Sequence, residues 1–181
     1  DRLFVALAEG GQVTMPMDVM FWGVYWPTIA VLDGMRERGY GRIVNITSLG
    51  GKVAVPHLLP YSSAKFAAVG LSEGLRHELL GSAVYVTTVV PGLMRTGSYL
   101  NAEFAGRPKQ EFGWFSVLGN LPFTSTDGGK AARRIVRAAR EGEAEVTIGL
   151  PARLASRLQG LAPGTMAMVI GAVNLALPRD P

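Results

Sequence analysis

The sequence predicts an α/β fold with a doubly wound parallel sheet, and two patterns carry this prediction. Helical and strand patterns alternate along the chain in the order helix, strand, helix, strand, loop, helix, strand, helix. The strand at residues 83–90 is apolar almost throughout, which is typical of a parallel strand that is buried on both faces. The 181 residues suffice for one domain with a hydrophobic core.

Each predicted element has its own signal. The helix that starts near Asp18 ends at the glycines of Gly39-Tyr-Gly41, and the helix after the first strand has Pro60 in its first turn. Asp127 is a plausible N-cap for a third helix. The predicted elements are a helix over 18–38, a strand over 42–47, a loop over 48–59, a helix over 60–80, a strand over 83–90, an irregular segment over 91–126, the helix after Asp127, a strand over 145–148, and apolar helical pieces over 152–158 and 165–177.

Composition excludes several classes of protein. With 48% apolar and 18% charged residues the chain is globular, and without cysteine it has neither disulfides nor thiolate metal sites. The net charge of +4 resides largely in arginines opposite an apolar helix face, which predicts a solvated surface and no nucleic-acid interface. These arginines are Arg133, Arg134, Arg137 and Arg140.

Neither end of the chain predicts a membrane anchor. The chain starts at Asp1 without a signal-peptide pattern, so we expect a cytoplasmic protein that is incomplete or processed at that end. The apolar stretch 161–177 is interrupted by Pro163-Gly164 and too short to span a bilayer. We expect it to pack on the domain or on a partner subunit, and we do not expect membrane contact.

The predicted sheet is incomplete at its N-terminal side. A Rossmann-type sheet begins with a strand, a glycine-rich turn and a helix whose N-terminus holds a pyrophosphate. No G-x-G-x-x-G spacing follows a predicted strand, and only 17 residues precede Asp18. The predicted fold is therefore a partial Rossmann-type sheet that lacks the N-terminal βαβ cofactor-binding half.

Three motifs follow one another at what should be a single end of the sheet. Tyr61 and Lys65 are four residues apart on a predicted helix and share a face, where an ammonium near a phenol favours proton transfer. Ser48 stands at the end of the first strand, thirteen residues earlier, and Pro91-Gly-Leu-Met-Arg-Thr96 follows the second strand. The carboxyl ends of parallel strands are where α/β sheets place their sites.

Together these motifs resemble the short-chain dehydrogenase/reductase family, from about Asp18 to the C-terminus. The resemblance implies an oxidoreductase that uses NAD or NADP on a carbonyl or alcohol substrate. Tyr61 would be its acid/base, Ser48 would bind the substrate oxygen, and Lys65 would hold the nicotinamide ribose and lower the pKa of Tyr61. Cofactor contacts are implied for Tyr61, Lys65, Pro91, Gly92, Met94 and Thr96, and no metal is expected.

Further expectations concern neighbouring residues. Asn45 is expected to hold nearby backbone, and His57 and the aromatics Phe112, Trp114, Phe115 and Phe123 are candidates to border an apolar substrate pocket or simply to pack. The small residues Ala67, Ala68, Gly70 and Gly74 allow close helix contact, and the family commonly dimerises there, which implies a homo-oligomer.

The sequence also departs from the family pattern. Met20 stands where the family usually has an asparagine, and a thioether cannot replace its hydrogen bonds. Residues 1–17 are expected to be a separate segment: they predict a short helix, a glycine stop and a strand, and residues 1–23 resemble the tail of a glyoxalase-like, vicinal-oxygen-chelate domain. Two alternatives therefore remain: a truncated or fused, non-catalytic remnant that acts at most as an interaction or structural protein, and a dinucleotide sensor without turnover.

Overall fold

A computed structural model describes residues 11–56, 58–97 and 123–176, together with positions 113, 120 and 121. Its helices and strands alternate as the sequence predicts. In chain order they are α1 (Gly11–Met17), a π-helical turn (Asp18–Trp22), α2 (Gly23–Glu37), β1 (Gly41–Ile46), a 3₁₀ turn (Leu49–Gly51), α3 (Leu59–Glu78), β2 (Val84–Pro91), β3 (Leu93–Arg95), β4 (Ser125–Asp127), α4 (Gly128–Glu141), β5 (Glu145–Ile148), α5 (Leu150–Leu161) and α6 (Pro163–Ala176).

Three parallel strands form the main sheet in the order β1-β2-β5. The register aligns Gly41 with Val84 and Ile46 with Val89 on one side of β2, and Pro91 with Ile148 on the other. Within the described residues β1 has β2 as its only sheet neighbour, so the predicted open edge is present.

Helices cover both faces of this sheet, which confirms the doubly wound arrangement. On one face Ile43, Val84 and Val86 pack with Leu79 and with side chains of α2 and α3. On the other face Val89, Val146 and Ile148 pack with Ala131 and Ala138 of α4. Apolar residues of β2 therefore serve both faces, as its nearly continuous apolar sequence predicts.

The N-terminal segment is helical where a strand was predicted. After Gly11 the chain forms α1, which runs directly into the π-helical turn and α2, so the strand prediction for residues 12–16 was wrong. Both α1 and the π-helical turn pack on α3, and this tertiary contact outweighs the weak strand propensity of the segment. Pro16 and Pro27 lie inside the helices and lack the N–H that helical hydrogen bonding uses.

Helix α4 begins as its sequence predicts. The Asp127 carboxylate accepts a hydrogen bond from the Lys130 N–H at 2.9 Å, so the predicted N-cap is confirmed. Gly142 ends the helix with a φ of 65°, a conformation that favours glycine. The arginines lie on the outer face, and Arg134 forms a two-pronged ion pair with Glu143 at 2.5 and 2.6 Å.

Two features of the C-terminal half differ from the prediction. The segment expected to be irregular contains β3 and β4, which pair in parallel. Helix α6 packs on α5, but Met166 is the only apolar side chain of α6 that is buried among those described. Most of its described surface therefore does not pack on the domain, and packing on a partner subunit, the alternative expectation, stays a prediction. No helix among the described residues is long and apolar enough to cross a membrane.

Candidate active site

Ser48 is held at the carboxyl end of β1 by its neighbours on both sides. The N–H and hydroxyl of Thr47 both donate to the Val89 carbonyl, at 2.8 and 2.6 Å, and tie the strand end to β2. Ser48 then caps the 3₁₀ turn, where its Oγ accepts the Gly50 N–H at 3.1 Å. The Ser48 hydroxyl is thereby oriented and keeps its proton available for another acceptor.

Tyr61 meets Ser48 from the first turn of α3. A Cβ added at Gly50 would lie 2.9 Å from Cε1 of Tyr61 and 3.6 Å from the Ser48 Oγ, so the structure brings together two of the three predicted catalytic residues. Tyr61 and Lys65 lie one turn apart on the same face, with the Lys65 Nζ 5.9 Å from the centre of the Tyr61 ring. The predicted shared face of the Y-x-x-x-K motif is confirmed.

Two glycines allow this close approach. A Cβ added at Gly50 would lie 2.9 Å from Cε1 of Tyr61, and one added at Gly51 would lie 2.5 Å from the Lys65 carbonyl oxygen. Any side chain at these positions would push the 3₁₀ turn away from α3. The Gly50-Gly51 pair therefore sets the distance between the Ser48 turn and the catalytic helix.

Burial dominates the electrostatics of Tyr61. It raises the pKa of the phenol above its ordinary value, while the hydrogen bond with Ser48 opposes the rise. The opposition shows that Ser48 stabilises the phenolate form. At neutral pH Tyr61 is consequently a protonated phenol whose conjugate base has a hydrogen-bond donor in place.

Burial and Ser48 set the pKa of Tyr61 in this structure, and a lowering of that pKa by Lys65 stays a prediction. Burial lowers the pKa of Lys65 itself, and its ammonium points to the Ile46 carbonyl, 3.5 Å away. One weak acceptor leaves other N–H donors of the ammonium for hydroxyl groups of a ligand. The residue therefore fits a ribose-holding role better than direct tuning of the phenol.

The third motif lies beside the first two. Pro91 ends β2, and continuing the register by two residues from the pair Ile46–Val89 sets Ser48 opposite Pro91. Gly92 donates its N–H to the Ile148 carbonyl at 2.9 Å, and a Cβ added there would meet Ala152 at 2.8 Å. This glycine lets α5 pack against the strand end.

Thr96 and Met94, which are predicted to bind the nicotinamide, differ from each other in their surroundings. Thr96 is exposed, and its N–H donates to the Met94 carbonyl at 2.9 Å. Met94 packs its side chain against the α4 side of the core, so only its backbone is directed to the turn. A backbone contact from Met94 and a side-chain contact from Thr96 remain a prediction.

A buried hydrogen-bond network supports the site, and sequence reasoning missed its central residue. Ser72 accepts from the Asn45 amide at 3.1 Å and from the Thr88 hydroxyl at 2.7 Å, and all three side chains are buried. Asn45 thus holds a side chain of α3, whereas a backbone contact was expected. Ser72 follows Tyr61 and Lys65 at helical spacing on the same face, and this spacing was the available signal.

Other predicted residues have less defined surroundings. Met20 is half-buried in the π-helical turn that packs on α3. Phe123 is 90% exposed and lines no core. His57, Phe112, Trp114 and Phe115 lie outside the described residues. Within the described part of the chain no group of three His, Cys, Asp or Glu side chains could hold a metal.

A family model described as short chain dehydrogenase matches residues 6–103, more than half of the sequence. The chain belongs to the short chain dehydrogenase family. The chain is 40% identical to the putative oxidoreductase SadH from Mycobacterium tuberculosis over 149 residues, which cover 81% of this chain and 53% of SadH. Human 17-beta-hydroxysteroid dehydrogenase 13 is 39% identical over 89 residues, 48% of this chain and 30% of that enzyme.

The fold comparison agrees with the family assignment. The chain is similar to an actinorhodin polyketide ketoreductase variant crystallised with NADPH, at a TM-score of 0.57 and 27% identity, covering 74% of this chain and 56% of the ketoreductase. The chain spans about half the length of SadH. The comparisons do not show the glyoxalase-like resemblance, and the short chain dehydrogenase match from residue 6 takes in most of residues 1–23.

Proposed function

We propose that this chain is the proton-transfer part of an NAD(P)-dependent oxidoreductase acting on a carbonyl or alcohol substrate. The observation that carries the proposal is the placement of the Tyr61 ring beside the Ser48 Oγ at the carboxyl end of β1, with Lys65 one turn away on α3. These three residue types are the ones that carbonyl reduction needs: a proton donor, a second hydrogen bond for the substrate oxygen, and a cation.

In the reduction direction each residue has a defined task. Tyr61 is a protonated phenol, so it can give its proton to the substrate oxygen as negative charge develops there. Ser48 donates a hydrogen bond to the same oxygen and, after the transfer, to the phenolate. Oxidation of an alcohol reverses these steps, with the phenolate as base.

The nicotinamide end of a cofactor fits the residues that the structure describes. Lys65 has ammonium donors beyond its single contact with Ile46 and can hold ribose hydroxyls, while Thr96 is open to solvent next to the strand end. The hydride is the chemistry that such a cofactor supplies when bound. No G-x-G-x-x-G turn exists in the sequence to hold the pyrophosphate, so we expect weak cofactor binding by the chain alone.

We also propose an apolar substrate and a homo-oligomer. The relative named as a hydroxysteroid dehydrogenase supports an apolar substrate class. For the oligomer, a Cβ added at Gly70 or Gly74 of α3 would meet no atom within 4 Å, and Phe66 beside them is 43% exposed. This small-residue face of α3 is open to a second subunit, which light scattering of Gly70→Trp against wild type would test.

The first experiment titrates the chain with NADH and with NADPH and follows the nicotinamide fluorescence. Saturable binding of either supports the proposal and justifies a carbonyl substrate screen. Absence of binding to both overturns it for this chain and favours the alternative, a non-catalytic remnant that serves as an interaction or structural protein.

Substitution of Tyr61 tests the mechanism. We expect Tyr61→Phe to lower kcat/KM by about 10²–10⁴-fold while the circular dichroism spectrum stays unchanged, because only the proton donor is lost. Tyr40→Phe is the matched control, since Tyr40 is exposed and lies away from Ser48 at the start of β1. Equal activity of Tyr61→Phe and Tyr40→Phe would show that the assigned acid/base is wrong.

A further inference from the structure

Helices α5 and α6 carry an apolar surface that the described part of the chain leaves exposed. It comprises Leu150, Leu154 and Leu161 of α5 and Met168, Val173 and Leu175 of α6, and we name these six residues the α5–α6 surface. Leu161 is 86% exposed and Met168 is 70% exposed. Single exposed apolar residues are normal in proteins, but six of them on two helices that pack on each other point to a contact site.

The spacing of the leucines along α5 places them on one face of the helix, and this face points outward. At about 100° per residue the three leucines fall within an arc of about 40°, with Arg157 at its border. Ala152, which is buried against Gly92, lies on the opposite side of the helix. An amphipathic helix of a water-soluble domain normally turns such a leucine stripe inward. Here the stripe faces outward.

Helix α6 shows the same property more strongly. Its 14 residues include no charged side chain, and Met166 is the buried contact to the rest of the fold among its described side chains. A helix that is apolar on all sides is ordinarily buried. At about 1.5 Å per residue α6 is about 21 Å long, which is too short to span the hydrocarbon core of a bilayer and long enough to lie in its surface.

The charges around this surface are of one sign. Between Gly149 and Ala176 the sequence contains Arg153 and Arg157 and no Asp or Glu. Both arginines are exposed on α5. A twofold contact with a second copy would set this basic, carboxylate-free surface against itself. Apolar helices flanked by arginines are instead complementary to a bilayer that carries anionic headgroups.

We propose that the α5–α6 surface binds peripherally to anionic lipid bilayers, with the leucines and α6 in the headgroup–acyl boundary and the arginines on lipid phosphates or carboxylates. The sequence-based expectation of no membrane contact depended on the failure of this stretch to span a bilayer, and surface binding requires no span. Because Ala152 abuts Gly92 at the end of β2, the inner face of α5 packs at the same end of the sheet as the candidate active site.

Vesicle flotation of the full chain tests this proposal without any enzymatic readout. We expect the chain to float with vesicles of phosphatidylcholine mixed with phosphatidylserine, and much less with phosphatidylcholine alone. Arg153→Gln together with Arg157→Gln should weaken binding by about fivefold for each arginine. Leu154→Ser together with Met168→Ser should weaken it by about tenfold or more, because apolar area is removed from the contact.

Matched controls distinguish binding through the α5–α6 surface from nonspecific vesicle binding by other exposed leucines and arginines. Leu80→Ser removes a leucine that is 75% exposed in the turn between α3 and β2, and Arg133→Gln with Arg137→Gln removes two exposed arginines of α4. Both controls should bind like wild type. Failure of the wild-type chain to bind anionic vesicles overturns the proposal, as does equal binding by the α5–α6 variants. A third outcome would also overturn the proposal: the chain self-associates with rising concentration, only the α5–α6 variants abolish this self-association, and no vesicle binding is seen. The surface would then bind a second copy of the chain.

Discussion

Replacing Gly51 by alanine tests how the Ser48 turn is seated on the catalytic helix. An added Cβ would lie 2.5 Å from the Lys65 carbonyl oxygen, 2.8 Å from its carbonyl carbon and 2.9 Å from Cγ2 of Val69. Two of these three atoms belong to the backbone of α3, so they cannot rotate away. Gly51 does not have a positive φ, so the whole cost comes from the contact and none from the conformation of the new residue.

The magnitude follows from the displacement that the contact requires. The Cβ must move from 2.5 Å to about 3.4 Å, which shifts the 3₁₀ turn or α3 by nearly 1 Å. Overpacking of this kind typically costs about 1–3 kcal/mol, and rigid atoms on one side place Gly51→Ala at the upper end. With a urea m-value of about 2 kcal/mol/M, the denaturation midpoint should fall by about 1.5 M.

Gly70→Ala supplies the matched control on the same helix. No atom lies within 4 Å of its added Cβ, so alanine should raise the free energy of unfolding by about 0.5–1 kcal/mol through helix propensity. Both variants are measured by urea denaturation with circular dichroism. If Gly51→Ala unfolds at the wild-type midpoint or above it, the turn is not seated on α3 as described, and the geometry of Ser48 and Tyr61 loses its support.

Three further predictions concern stability. Ser72→Ala removes the hydrogen-bond partner of the buried Asn45 and Thr88 side chains and should lower the free energy of unfolding by about 1–3 kcal/mol. Ser63→Ala, on the exposed side of α3, is the control and should change the free energy of unfolding by less than about 0.5 kcal/mol. Equal effects of the two substitutions would contradict the network. The hydrogen bond from Arg134 holds the pKa of Glu143 below its ordinary 4.5, so this carboxylate stabilises the fold above that pH and loses its contribution as the pH falls through the lowered pKa. The difference between wild type and Glu143→Gln in urea midpoint should therefore shrink from neutral pH to about pH 3. Lys52→Met removes the cation between two carboxylates and should destabilise the chain more at neutral pH than in acid, where protonation removes their repulsion; a pH-independent effect would refute this.

Local sequence patterns predicted the elements that carry the candidate catalytic residues. The β-branched run before Ser48, the helical spacing behind Tyr61 and the apolar run before Pro91 each appear as predicted, with ends that differ by one or two residues. They are predictable because strand and helix periodicity and capping residues act over a few neighbours. The segment after Gly11 was assigned wrongly because its helix is stabilised by packing on α3, far away in sequence.

The sequence by itself determined the identity of the candidate site: Ser48, Tyr61 and Lys65, their spacing, and the end of the sheet at which they lie. Only the tertiary structure decided how they behave. Burial raises the pKa of Tyr61 and lowers the pKa of Lys65, and no local pattern encodes burial. Tertiary structure also decided that Ser72 of α3 bonds side chains of β1 and β2, and that the leucines of α5 face outward. Which face of a helix meets the sheet depends on the packing of the whole chain.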